Sequence, residues 1–412
     1  MSYTLAIDQG TQSSRAVLFD SEGEIVARQQ QAISINRIKK DHVEQDAEEI
    51  LNSVKKVIDY LLSELSSAQR KSISACGICT QRSSVVACDR QGQALSPVIG
   101  WQDTRESEWL HSLRNDQETI QSISGLPLTP HYGASKLRWL NGQVTTRNDN
   151  QMLLAPLVSY LLLNLINENS FFIDHSNAQR TQLMDIQTLD WSATLLGIFN
   201  VPQSSLPKCK PVVFSYGDLL DTGIKVQAVC GDQNAVFSGA GNGGFGIAVL
   251  NLGTGAFIMC LQSQRPLHGN LLTTIIKSDD QAAVYALEGT VNGAGSALNW
   301  ANEKYDLGDL KVQLPGWLAS VDHPPVFINS IGGIGSPWWA NHITPQFFDD
   351  SGNERQHGKA EIAVAVIESI VFLIMDNLSL MQQDNAIKRI QVSGGLSSLD
   401  GLCQKLANLS GL

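Results

Sequence analysis

The chain has 412 residues, more than one hydrophobic core usually accommodates, so two domains are expected. A formal charge of −11 at pH 7 argues against nucleic acid or an anionic membrane as partner, while leaving room for a local basic site for phosphates. With 43% hydrophobic and 17% charged residues, the composition is that of an ordinary globular protein.

Met1-Ser2-Tyr3 leads straight into an apolar run with no basic or apolar signal region, which points to a cytoplasmic protein. That run, Leu5-Ala6-Ile7, ends in Asp8; Gly10 and Thr11 make a turn, and Ala16-Val17-Leu18-Phe19 leads away. The pattern predicts a β-hairpin with a tip of Gly and small hydroxyl residues. Exposed N–H groups at such a tip can form an anion-binding nest, and Asp8 stands where a phosphate-bound divalent cation needs an oxygen ligand. An ordinary hairpin with polar turn residues is the other reading.

A strand starting at Ile25 follows, then a helix opened by Asp46-Ala47-Glu48-Glu49, with Ile50, Leu51, Val54, Val57, Ile58, Leu61, Leu62 and Leu65 at helical spacing. The run 73–88 reads as two strands broken by Thr80-Gln81-Arg82-Ser83-Ser84. Cys76 and Cys79 sit three apart on a strand and so face opposite ways, which disfavours a metal or redox pair. The seven cysteines are scattered and suit reduced thiols. Val98-Ile99-Gly100 ends in the polar cluster Trp101-Gln102-Asp103-Thr104-Arg105; residues 106–206 read as mainly helix and loop. The apolar stretch 226–229 runs into Cys230-Gly231-Asp232-Gln233, a carboxylate at a strand-to-helix turn that either caps the helix or faces a ligand.

The glycine-dense stretch 239–244 marks a domain boundary. Beyond it, Ile247-Ala248-Val249-Leu250-Asn251-Leu252-Gly253-Thr254-Gly255-Ala256-Phe257-Ile258 repeats the opening design of strand, Gly-Thr turn and strand. Two copies, each opening one half of the chain, suggest an internal duplication and a polyphosphate gripped from both sides. Further on, Gly293-Ala294-Gly295 opens a helix against which a backbone or a ligand can approach closely, and Gly332-Gly333 begins a loop. The stretch 361–381, including the apolar 362–380 with Glu368 and Asp376, reads as a core helix rather than a membrane span. The strand 389–393 then meets Gly394-Gly395, a turn suited to a nucleotide or simply to close packing.

Taken together, Ala6-Ile7-Asp8-Gln9-Gly10-Thr11-Gln12-Ser13-Ser14-Arg15-Ala16, Trp101-Gln102-Asp103-Thr104-Arg105, Asn177-Ala178 with Arg180-Thr181, Thr188-Leu189-Asp190-Trp191, Gly231-Asp232-Gln233 and Ala286-Leu287-Glu288-Gly289 resemble the motifs of the FGGY carbohydrate kinases, and among them the glycerol kinases. The resemblance runs over essentially the whole chain. It implies an α/β fold of two ribonuclease-H-like domains of the actin and hexokinase type flanking a nucleotide cleft, with an acceptor-binding domain over 1–241 and a nucleotide-binding domain over 242–412. It further implies an ATP-dependent kinase acting on a small polyol or sugar, glycerol-like first. Asp8 would hold Mg2+, and Thr11, Gln12, Ser13 and Arg15 would meet the nucleotide phosphates. Asp232 would be the catalytic base with Gln233 beside it, and Arg82, Ser83, Trp101, Asp103, His131 and Phe257 would line the acceptor pocket. Gly253 and Thr254 would hold the terminal phosphate, and Gly295, Asn299, Gly394 and Gly395 would border the adenosine.

The departures concern the acceptor. Ser83 stands where the glycerol kinases have Glu, and His131 matches a family Tyr, with Tyr132 as the alternative match. Gln12 replaces a Thr, Ser393 replaces the Asp before the Gly-Gly turn, and 341–357 departs from the usual signature. A ketose of the xylulose type is the second acceptor, and a nucleotide- or sugar-binding homologue that has lost catalysis is the rival class. The family continues past one helix after Gly394-Gly395, so a shortened nucleotide domain, an exposed strand edge, an exposed apolar helix face and a homodimer are expected.

Overall fold

A computed structural model describes the chain apart from residues 1, 144–151, 168–169, 240–243, 264–268, 341–342, 350–351, 353–356 and 385. The described residues form two compact units, Met1–Ala235 with Ile275–Val284 and Val236–Thr274 with Tyr285–Leu412. Of the expected boundary glycines at 239–244, positions 240–243 lie outside the described residues, as does much of 341–357.

The first unit is built on a six-stranded sheet in the order Val213–Leu219, Ile224–Gly231, Ile73–Thr80, Tyr3–Gln9, Ser13–Phe19, Ile25–Ala32. Tyr3–Gln9, Ile73–Thr80 and Ile224–Gly231 run parallel, and the opening hairpin is antiparallel, with Gln9 opposite Ser14. The Ala47–Glu64 helix begins as expected: the Asp46 carboxylate accepts from the backbone N–H groups of Glu48 and Glu49 at 2.8 and 3.1 Å. Its stripe of Ile50, Leu51, Val54, Val57, Ile58 and Leu61 is buried. A second, five-stranded sheet joins Asn36–Lys39, His42–Gln45, Val98–Ile99, Val85–Asp89 and Met152–Pro156. The stretch 106–206 is mainly helix and loop, as expected, and Met152–Pro156 is a strand within it that the sequence did not mark. All five of its residues are buried, so it lacks the alternation that betrays a strand with one wet face.

A further five-stranded sheet, in the order Leu272–Ser278, Ala283–Val291, Ala256–Gln262, Ile247–Leu252, Arg389–Ser393, belongs to the second unit except for its Ile275–Ser278 and Ala283–Val284 parts, which fall in the first. The second Gly-Thr hairpin forms as expected, Leu252 pairing with Ala256, but its tip is one residue shorter than the first. Leu272–Ser278 is a further strand that the sequence does not announce: Leu272-Thr273-Thr274-Ile275-Ile276-Lys277-Ser278 pairs residues of like polarity and has no alternation. The Lys359–Asp384 helix is the unit's spine, with Val364, Val366, Ile367, Ile370, Val371, Ile374 and Leu378 in the core. Among the described residues its Lys359–Gln383 stretch alone is long and apolar enough to cross a membrane, yet 67% of its most apolar window is buried inside the protein. Arg389–Ser393 is the outer strand of its sheet, and the following helix Asp400–Ser410 buries Leu402 and Leu406 while Leu409 stays exposed.

Candidate active site

Three parallel strands of the first unit end together, with Gln9, Thr80 and Gly231 in one register row. This brings the opening hairpin, the Arg82 loop and the helix start at Asp232 to one sheet edge, the place where open α/β sheets bind ligands. One residue back, Asp8, Cys79 and Cys230 form a second row. The Cys79 thiol donates to Asp8 Oδ1 at 3.6 Å. Burial pushes that thiol well above its ordinary pKa, and the charges of Asp8, Cys230 and Asp232 push it the same way. Both candidate carboxylates therefore act on one thiol between them.

At the hairpin, Gly10 N–H donates to the Ser13 carbonyl at 2.9 Å, which closes the turn. The Asp8 carboxylate pairs with Arg15 Nη1 at 2.9 Å, both side chains being partly exposed. Thr11 is anchored twice: its carbonyl accepts from Gln45 Nε2 at 2.9 Å and its hydroxyl from the Trp101 indole at 3.0 Å. Gln12 is exposed and Ser13 is buried.

Asp232 opens the Asp232–Gly239 helix; its Oδ1 accepts from Gln233 N–H at 2.8 Å and lies 3.7 Å from Arg82 Nε. Arg82 also donates to Asn234 Oδ1 at 3.3 Å. Gly231 has a steric reason: a Cβ there would stand 2.6 Å from the Arg82 stem and 2.7 Å from Asn234 Oδ1. The turn is held from behind, because Gly231 N–H donates to Ser176 Oγ at 2.9 Å and Ser176 donates to buried Asp174. Burial raises the Asp174 pKa to about 6, against the pull of Ser176 and Asn177.

The expected acceptor wall divides. Trp101 and His131 pack together with ring centroids 6.4 Å apart. Burial, helped by the Lys136 charge, takes the His131 pKa down to about 4, so its ring is neutral at pH 7. Ser83 is in the left-handed region at φ 64° and turns its hydroxyl to the Arg180 carbonyl at 3.2 Å. Asp103 departs from its expected role. It is 0% exposed, and its oxygens accept from Val43 N–H at 2.7 Å and from the Arg105 backbone and guanidinium at 2.8–3.0 Å. A carboxylate spent on its own loop and on Arg105, which also reaches Glu44 at 2.7 Å, lines nothing.

The remaining candidates, Gly253, Thr254, Phe257, Gly295, Asn299, Gly394 and Gly395, belong to the second unit. Here the helix start at Gly295 is occupied by backbone. Gly295 N–H donates to the Gly253 carbonyl at 3.0 Å, Ser296 N–H donates to that of Thr254 at 3.0 Å, and a Cβ on Gly295 would meet the Gly253 oxygen at 2.8 Å. Gly295 thus docks the hairpin on the Gly295–Tyr305 helix, leaving Thr254 and Asn299 exposed. Phe257 stands in strand Ala256–Gln262, in register with Asn251 and Thr290. Gly394 has φ 91°, and a Cβ on it would lie 2.5 Å from the Leu252 carbonyl, whereas nothing crowds Gly395. Gly394→Ala combines a left-handed strain with a backbone clash, so chemical denaturation should find the variant less stable by about 1–3 kcal/mol or more.

The model of the FGGY N-terminal domain matches residues 3–244 and that of the C-terminal domain matches 248–412. The chain belongs to the FGGY family of carbohydrate kinases. Glycerol kinase of Acinetobacter baylyi is 33% identical over 99% of this chain and 85% of its own length. Glycerol kinase 2 of Sulfolobus acidocaldarius is 31% identical over 99% and 84%. Among solved structures, Plasmodium falciparum glycerol kinase with ADP superposes with a TM-score of 0.86 at 25% identity, covering 99% of this chain and 84% of that one. Xylulose kinase of Lactobacillus acidophilus has the same fold, with a TM-score of 0.86 at 23% identity over 100% and 85% of the two chains. The two-domain α/β architecture is that of the actin and hexokinase type.

Several residues of this FGGY chain escaped the sequence reading. Gln81 donates to Gln9 and Gln45 at 3.3 and 3.0 Å and accepts from Ser84, whose hydroxyl in turn accepts from Trp101 N–H. This buried amide network ties the hairpin to the Trp101 segment. Asp174, Ser176 and Lys136 were likewise missed. In sequence they stand among other polar residues and nothing local singles them out; the bonds that give them their place, Gln81 to Gln9 and Gln45, Ser176 to Gly231 and Lys136 to Ser83 and Trp101, span 35 residues or more.

Proposed function

We propose that this FGGY kinase transfers the γ-phosphoryl group of ATP to a hydroxyl of a small polyol, glycerol-like first. The observation that carries the reading is the convergence of Asp8, Arg82 and Asp232 on the ends of three adjacent parallel strands, with Asp232 3.7 Å from Arg82 and the Cys79 thiol donating to Asp8 at 3.6 Å. Phosphoryl transfer needs positioning, charge compensation and a base for the attacking hydroxyl. In this reading Asp232 takes the hydroxyl proton, with Arg82 and Gln233 orienting the acceptor against the face of Trp101. Arg15, Thr11, Gln12 and the Ser13 backbone meet the phosphates in the first unit. Gly253 and Thr254 hold the terminal phosphate, and Asn299 and Gly395 border the nucleoside.

The donor set fits Mg2+. Among the described residues no three His, Cys, Asp or Glu side chains gather as a metal cage, and Asp8 is a partly exposed single carboxylate. Mg2+ characteristically takes one or two protein carboxylates and fills its shell with water and phosphate. Asp8 would hold the ion, which when bound offsets the negative charge of the phosphates.

Glycerol ranks ahead of a ketose because the buried Asp103 offers no carboxylate to additional sugar hydroxyls. Initial rates of ADP release over glycerol, other polyols and ketoses test this. Highest kcat/KM with a three-carbon polyol supports the reading, and a ketose preference overturns the acceptor assignment. ATP binding without release on any acceptor supports the rival, a homologue that binds without catalysing.

A further inference from the structure

Lys136, in the Gly133–Gln143 helix, is 1% exposed. Its ammonium donates to three backbone carbonyls: Ser83 at 3.2 Å, Trp101 at 3.2 Å and His131 at 2.9 Å. The three carbonyls come from three separate loops. One follows strand Ile73–Thr80, one follows Val98–Ile99, and one precedes the helix that carries Lys136 itself. Each loop bears a part of the proposed acceptor wall: Arg82 and Ser83, Trp101, and His131. Two of them have further reason to need fixing: Ser83 is held in a left-handed conformation, and Trp101 passes its indole N–H to Thr11 of the phosphate hairpin. An ammonium has three donors and no acceptor, so three carbonyls saturate it.

We propose that Lys136 is a positioning residue that fixes the three loops of the acceptor wall relative to one another and thereby sets acceptor affinity. The proposal rests on the acceptor reading above. Lys136 does not touch the reacting atoms; it acts through the carbonyls of Ser83, Trp101 and His131.

A surface lysine could not do this with the same consequence. Burial lowers the Lys136 pKa to about 7; Asp103 raises it and Arg105 lowers it further. Of the other ionisable groups nearby, His131 stays neutral above pH 5, and Arg138 on the same helix is paired with Glu106 at 2.6 Å. Below pH 7 the side chain is charged and satisfies all three carbonyls. Above it the neutral amine keeps two donors for three acceptors, and one loop is released. Acceptor KM should therefore rise with pH through 7, while the KM for ATP follows a different course.

The test is steady-state kinetics of the wild type, Lys136→Met and Lys136→Arg with glycerol as the varied acceptor, from pH 6 to 8.5, with circular dichroism as the folding control. Lys136→Met should raise acceptor KM by about tenfold or more at pH 6.5, with kcat and the KM for ATP within about threefold. Lys136→Arg keeps its donors charged at every pH, so its acceptor KM should lose the wild type's rise between pH 6 and 8.5. A folded Lys136→Met with unchanged acceptor KM, or one that loses kcat at constant KM, overturns the proposal. Should that variant not fold, a wild-type acceptor KM that is flat across pH 7 overturns it equally. An active wild type with a Lys136-independent KM removes this proposal alone, whereas a wild type inactive on every acceptor removes the kinase reading with it.

Discussion

Asp232→Asn is expected to lower acceptor-dependent kcat by a factor of about 10²–10⁴, the range a positioned general base contributes. Asparagine keeps the size of the side chain and the oxygen that accepts from Gln233 N–H, so the helix start should persist. What it loses is the ability to take a proton and the negative charge opposite Arg82 at 3.7 Å. The Gly231 turn is held independently by Ser176 and Asp174, and the opening hairpin by Gln45 and Trp101. Nucleotide affinity should therefore stay within a few-fold of wild type. Stopped-time assays of ADP release beside equilibrium ATP binding read the two quantities separately. Loss of both together would indicate that Asp232 supports the fold and not the proton transfer.

Asp8→Asn is the second large effect. If Asp8 holds Mg2+, the amide weakens the site, and the rate at fixed Mg2+ should fall by about 10²–10³, the cost typical of deleting one group that stabilises developing charge. Raising Mg2+ should recover part of the loss, whereas raising the acceptor should not. Stability should hardly change: the Asp8–Arg15 pair has side chains 33% and 48% exposed, and ion pairs of that kind contribute about 0–1 kcal/mol. A Mg2+ titration of initial rates checks the assignment. A variant with wild-type rates at every Mg2+ concentration would free Asp8 of that role.

The legible parts of this molecule are those set by local chemistry. Gly10-Thr11 and Gly253-Thr254 sit between apolar runs, Asp46 stands before a helical stripe, and Asp232 follows a strand; in each case the signal lies within a few residues of the structure it specifies. Met152–Pro156 and Leu272–Ser278 were not legible, because strands buried almost throughout, one wholly apolar and one with its threonines taken inside, show no alternating period to separate strand from helix. The motif position of Asp103 was plain and its role was not. Whether a carboxylate faces a pocket or its own Arg105 depends on Val43 and Glu44, which pair with that segment only in the folded sheet. Gly295 and Gly394 were noticed as glycines beside a nucleotide, yet the crowding at both comes from the backbone of the neighbouring hairpin. Lys136 is the extreme case: three carbonyls from up to 53 residues away converge on it, and no short window of sequence records that.

The most direct measurement is transfer of label from γ-labelled ATP to glycerol by the wild-type protein with Mg2+. The account predicts labelled glycerol phosphate formed in step with ADP, abolished by Asp232→Asn. Tight ATP binding with no label reaching glycerol or any other polyol or sugar would contradict it.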